Sequence, residues 1–169
     1  FIYRTNNRDG YFSLYLCEAA TGKVLKRLTD VNADVEMVGQ DDKFVYYTSA
    51  EVSPVDNHLF RVEVKSGKKT RLTQAEGWHK VTMSGDMKYF VDNYSSLKVP
   101  RVILLVQNDG KKVKELLKAE DPTKDYNFGE ITLGTVKSAD GKFNNYYRLI
   151  KPMNFDASRK YPVIVYVYG

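Results

Sequence analysis

The feature that most constrains this chain is a repeat. Leu28-Thr29 and Leu72-Thr73 stand 44 residues apart, and Leu116 follows at the same interval. Turn pairs keep step with them: Thr21-Gly22, Ser66-Gly67 and Asp109-Gly110, at spacings of 45 and 43. A short apolar strand precedes each turn, namely Leu14-Tyr15-Leu16, Leu59-Phe60-Arg61-Val62 and Val102-Ile103-Leu104. Before the last two come Val45-Tyr46-Tyr47-Thr48 and Tyr89-Phe90-Val91-Asp92. β-Branched and aromatic residues suit strands, and X-Gly pairs supply the positive φ of tight hairpins. A period of about 40–45 residues with four strands per unit is the pattern of a β-propeller blade. One such sheet cannot bury both faces alone, so neighbours must stack.

Residues 111–118 carry a competing signal. Val113, Leu116 and Leu117 have helical spacing, but the phase of the repeat makes this segment the last strand of a unit. The repeat then stops at Asp121-Pro122-Thr123-Lys124-Asp125, a polar, proline-containing break. Residues 130–137 and 144–151 read as two long strands joined through Asp140-Gly141. Residues 152–160 read as an irregular connection. Residues 162–169, Pro-Val-Ile-Val-Tyr-Val-Tyr-Gly, form a continuous apolar run of the kind found in strands buried on both faces of an α/β sheet. The expected organisation is residues 1–125 as about three four-stranded blades, and residues 126–169 as the first strands of an α/β domain. Both ends of the chain read as cut from a longer protein, because strands stand there with nothing to cover them.

Composition excludes several classes. Aromatic residues make up 13% of the chain, mostly its 13 Tyr and 8 Phe, too many for a disordered segment. A single Cys excludes an internal disulfide and a Cys-based zinc cluster. The apolar run at residues 162–169 is far short of the ~20 residues that span a bilayer as a helix. No basic stretch followed by an apolar one opens the chain. The net charge of +5 is modest, and the lysines sit in turns rather than on one face. No nucleic-acid partner is expected.

Several stretches resemble a known family. They are Arg8-Asp9-Gly10-Tyr11, residues 45–54 with His58-Leu59-Phe60-Arg61-Val62, Tyr89-Phe90-Val91-Asp92-Asn93-Tyr94-Ser95, and Leu149-Ile150-Lys151-Pro152-Met153-Asn154-Phe155-Asp156. The most specific is Lys160-Tyr161-Pro162 leading into the apolar run. Together they resemble bacterial dipeptidyl peptidase IV, within the prolyl oligopeptidase family of serine peptidases. The resemblance implies a mostly β chain, a partial β-propeller followed by the opening strands of an α/β-hydrolase domain. It implies a longer parent enzyme that releases N-terminal dipeptides with Pro or Ala at the second position, with the propeller controlling access. It implies no cofactor, export from a bacterial cell and a homodimeric parent. The alternatives are another peptidase of the clan, such as an acylaminoacyl peptidase or an oligopeptidase, and a non-catalytic propeller binding module.

One catalytic residue carries over. Tyr168 matches the family tyrosine that follows the first hydrolase strand, and its phenol is expected to donate to the oxyanion of the tetrahedral intermediate. No Gly-x-Ser-x-Gly elbow occurs in the 169 residues, so nucleophile, acid and base are absent and the chain alone is expected to be inert. His58 and His79 fall in the repeats and read as structural, the latter packed beside Trp78. Glu51 reads as a turn-stabilising acid, and Cys17 as a small buried hydrophobe. Uncovered strand edges are expected to drive self-association.

Overall fold

The computed structural model describes residues 2–167. All regular structure in them is β, in thirteen strands. The chain divides into two compact units, Phe1–Asp121 and Pro122–Gly169.

The first unit holds three antiparallel meanders. β1 (Ile2–Asp9), β2 (Tyr11–Cys17) and β3 (Val24–Arg27) form the first sheet. β4 (Val35–Gln40), β5 (Phe44–Ser49), β6 (His58–Glu63) and β7 (Lys69–Arg71) form the second. β8 (Trp78–Met83), β9 (Tyr89–Ser95), β10 (Val102–Gln107) and β11 (Lys112–Lys118) form the third. The 44-residue period is therefore one sheet, and residues 112–118 are a strand, not a helix. The first sheet departs from expectation, with three strands instead of four among the described residues.

The Leu-Thr repeat has a physical cause. The last strands of the first and second sheets, β3 and β7, end too early to satisfy the whole edge of the strand before them. The Leu28 N–H bonds the Leu14 carbonyl at 2.8 Å, and the Leu72 N–H bonds the Leu59 carbonyl at 2.8 Å. The following hydroxyl then accepts in place of a backbone carbonyl. Thr29 Oγ1 takes the Leu14 N–H at 2.9 Å and Thr73 Oγ1 takes the Leu59 N–H at 3.0 Å. Both threonines are buried, where an unmet N–H would be costly. The third sheet solves the same problem differently. β11 runs on to Lys118 and pairs Ile103 with Leu117, so no hydroxyl is needed and Leu116 is half exposed.

Two cores lie between the sheets. Leu14, Leu28, Val35, Val45, Tyr47, Phe60 and Val62 bring the first and second sheets together. Tyr46, Leu59, Leu72, Phe90 and Val106 do so for the second and third. Val45 and Tyr47 point one way from β5 and Tyr46 the other, as strand alternation requires. That is why β5 opens with four apolar residues in a row, Phe44 to Tyr47: its sheet is covered on both faces. Each such side chain contributes on the order of 1.5–3 kcal/mol when fully buried. Polar straps add to the stacking. Lys26 Nζ donates to the carbonyls of Val64 and Lys65 in the next sheet, both at 3.1 Å. Arg61 Nη1 donates to the Asn108 carbonyl of the sheet after, at 2.9 Å.

The second unit contains one hairpin, β12 (Ile131–Lys137) with β13 (Asn144–Ile150), in register from Ile131↔Ile150 to Lys137↔Asn144. Gly141 at φ 72° closes its turn, with the Gly141 N–H on the Ser138 carbonyl at 2.8 Å. The expected opening of an α/β-hydrolase sheet is not formed. Residues 162–167 have no strand pairing and are exposed, Ile164 to 97%. An apolar run becomes a buried strand only when ladders flank it on both sides. Among the described residues this segment has none.

Candidate functional site

The first strand of each sheet is an edge strand, since β1, β4 and β8 each end their sheet order. These edges converge on an open groove of about 950 Å³. Val35 to Val38 of β4 line one wall, and Trp78 to Val81 of β8 line the other. Tyr11 and Phe12, at the start of β2, and Thr5 of β1 complete it. Its rim is apolar and open: Tyr11, Phe12 and Trp78 are all large exposed aromatics. Asp34 fixes the rim from below. Its Oδ1 accepts the Phe12 N–H at 2.8 Å, and its carbonyl accepts the Ser49 hydroxyl at 2.9 Å.

The wall formed by β8 is anchored by a buried polar cluster. His79 stands opposite Tyr94 across the β8–β9 ladder, and the two rings stack with centroids 4.7 Å apart. Asp92, one diagonal step along, accepts from His79 Nδ1 at 2.8 Å, while Nε2 lies 2.8 Å from the Ala75 carbonyl. Both ring nitrogens thus face acceptors. The ring is thereby held from both sides, by a carboxylate and by a backbone carbonyl. The pair is almost fully buried, with side-chain exposures of 1% and 4%.

His58, in the neighbouring sheet, sits 5.1 Å from His79 ring to ring. Its Nδ1 is 3.1 Å from Thr73 Oγ1. That hydroxyl already accepts the Leu59 N–H, so its own proton is free to be donated to His58 Nδ1. Burial first, and then the neighbouring charge of His79, pushes the His58 pKa below the ordinary imidazole value.

The cluster does not have the arrangement of a hydrolytic site. A general base needs a free ring nitrogen facing a nucleophile. His79 Nε2 is held by a carbonyl, and His58 Nδ1 by a hydroxyl that serves the backbone. Both histidines are buried and hydrogen-bonded within their sheets. Trp78 lines the groove and is 55% exposed, while His79 beside it is buried. Glu51 pairs through Oε1 with Lys69 Nζ from a nearly buried position, stabilising the turn after β5. Cys17 closes β2 and is buried. Tyr168 lies outside the described residues. Among the described residues, no group of three His, Cys, Asp or Glu side chains could hold a metal ion.

Sequence reasoning overlooked Asp34 and Asp92. Asp92 carried a usable signal. It falls two residues after Phe90 and two before Tyr94, on the inward face of β9, where a carboxylate must be paired.

Comparison with known proteins is consistent across three lines. The sequence model of the dipeptidyl peptidase IV N-terminal region matches residues 1–101. Dipeptidyl peptidase 8 of Homo sapiens is 30% identical over 138 residues, 75% of this chain and 15% of that protein. Dipeptidyl peptidase 4 of Arthroderma otae is 26% identical over 173 residues, 97% of this chain and 22% of that protein. Among solved structures, a Bacteroides ovatus protein assigned as a dipeptidyl aminopeptidase IV superposes with a TM-score of 0.86 at 36% identity, over 99% of this chain and 27% of that one. Porphyromonas gingivalis dipeptidyl peptidase 4 gives 0.86 at 28%, over 95% and 23%. The chain therefore spans about a quarter or less of the relatives it matches.

Proposed function

Since the chain belongs to the dipeptidyl peptidase IV family through that family's N-terminal region, we propose that it works as the propeller part of a serine exopeptidase. In this reading the longer protein releases N-terminal dipeptides with Pro or Ala in the second position. The first unit admits peptides and holds them, and catalytic groups supplied by an α/β-hydrolase domain cleave them. The observation that carries the reading is the groove: three sheets of one repeat present their first strands to a single open channel with an apolar rim. A channel bounded by unpaired strand edges suits extended peptide better than a compact metabolite, which is commonly enclosed.

Residues 126–169 would lead into the hydrolase domain, and Tyr168 would be its oxyanion donor. A fixed phenolic O–H there stabilises charge that exists only in the transition state, so its loss appears in kcat more than in KM. The test is hydrolysis of a Gly-Pro chromogenic substrate. The longer protein should turn it over, and Tyr168→Phe should lower kcat by about 10²–10³. The 169-residue chain by itself should give no turnover above buffer, because it lacks a Gly-x-Ser-x-Gly nucleophile. Turnover by the chain alone, or a Tyr168→Phe enzyme at full rate, would refute the reading. We propose too that the chain self-associates in isolation, through its uncovered apolar surface.

A further inference from the structure

The edge of β8 is already used once, by this chain itself. Asn57 lies beside it as a one-residue parallel bridge. The Asn57 N–H donates to the Gly77 carbonyl at 3.1 Å, and the His79 N–H donates to the Asn57 carbonyl at 3.0 Å. Asn57 Nδ2 then donates to the His79 carbonyl at 2.9 Å. Both backbone groups of His79 therefore point away from β9. Backbone groups alternate sides along a strand, so those of Val81 point the same way, into the groove that Val81 lines. Among the described residues no strand continues along that edge past Asn57.

We propose that an extended peptide continues the pairing that Asn57 begins, adding as a short strand along β8 with its main chain on the Val81 N–H and carbonyl. The proposal deepens the peptidase reading and rests on it: the ligand is the portion of a peptide substrate downstream of its first two residues. Main-chain pairing gives affinity without reading sequence, which suits an enzyme that selects only at the first two residues. The groove it enters is also lined by the exposed aromatics Tyr11, Phe12 and Trp78. The buried His79–Asp92 pair, directly behind, holds β8 in place without offering hydrogen-bonding groups of its own to the groove, since both ring nitrogens are occupied.

Trp78 is the sole tryptophan in the sequence, so its fluorescence reports on this rim alone. The probe is a decapeptide amide that opens with Ala-Pro and continues with alternating Thr and Val, together with analogues each N-methylated at one position. Titrated into the 169-residue chain, the parent peptide should change Trp78 emission saturably. N-methylation should weaken binding about tenfold at the one position whose N–H meets the Val81 carbonyl and leave the positions on either side unaffected, because loss of a main-chain hydrogen bond is of that order. Val81→Pro, which lacks the N–H, should weaken the parent peptide similarly. If that variant does not fold, the N-methyl series decides alone. Absence of saturable binding, or binding that no N-methyl group disturbs, overturns the proposal. The peptidase reading is judged separately. A longer protein that cleaves Gly-Pro substrates with no N-methyl pattern leaves that reading standing and this one refuted. The pattern without any cleavage does the reverse for the enzymatic claim.

Discussion

A single pair, His79 and Asp92, concentrates much of what is at stake in the third sheet. Both side chains are almost fully buried, and removing one leaves the other without its hydrogen-bonding partner. Asp92→Ala should therefore destabilise the chain by about 3–5 kcal/mol, read as a fall in the urea midpoint with little change in slope. His58 gives a pH signature. Its pKa is lower in the folded state than the ordinary 6.5, because of burial first and then the charges of His79 and Arg71, against which Asp56 and Asp92 act more weakly. The unfolded chain then binds more protons at mildly acid pH. The stability His58 contributes is fully present above about pH 6.5 and is lost as pH falls below it toward the folded value. Denaturation midpoints measured between neutral and mildly acid pH should fall in that window, and His58→Gln should flatten the dependence. A variant with the same slope as the parent would assign the effect elsewhere. These roles were hard to read from sequence. His58 and His79 read as structural from sequence because both fall in the repeats, His58 at the start of a strand. Their partners Thr73 and Asp92 depend on strand register, which sequence alone does not give. Asp92 reaches His79 only because β8 and β9 align His79 with Tyr94 and Val81 with Asp92.

A closing threonine takes over where the short strands β3 and β7 end. In Thr73→Val, the Leu59 N–H and His58 lose one shared oxygen in a buried site, at an expected cost of about 1–3 kcal/mol. Thr29→Val should cost less, because only the Leu14 N–H depends on it. Leu117→Thr, at the corresponding place in the third sheet, should change stability little, since β11 already pairs there through its backbone. Thermal unfolding of the three variants would order them, and equal losses would count against this account. The same contrast explains what was legible. Turns such as Ser66-Gly67 and the Leu-Thr pairs are local signals, so the strands they bound could be placed from sequence. Residues 111–118 were settled by phase, where local periodicity alone favoured a helix. Residues 162–167 misled, because whether an apolar run becomes a strand is decided by partners that lie elsewhere.

At the scale of the whole molecule, the second unit leaves large side chains open to solvent, among them Phe143, Tyr126 and the run from Val163 to Val167. Contiguous apolar surface of this kind drives association. Light scattering on the isolated chain should show mass rising with concentration, and a strict monomer over a wide range would refute it. The first unit carries a different lesson, through the straps of Lys26 and Arg61. Among the described residues, these straps and both apolar cores join neighbouring sheets through residues within about one period on either side. Such a design is modular in the way masonry is. A course can be copied, lost or exchanged while its neighbours keep their bonding pattern, so the number of courses is free to drift by duplication while each mortar line stays the same.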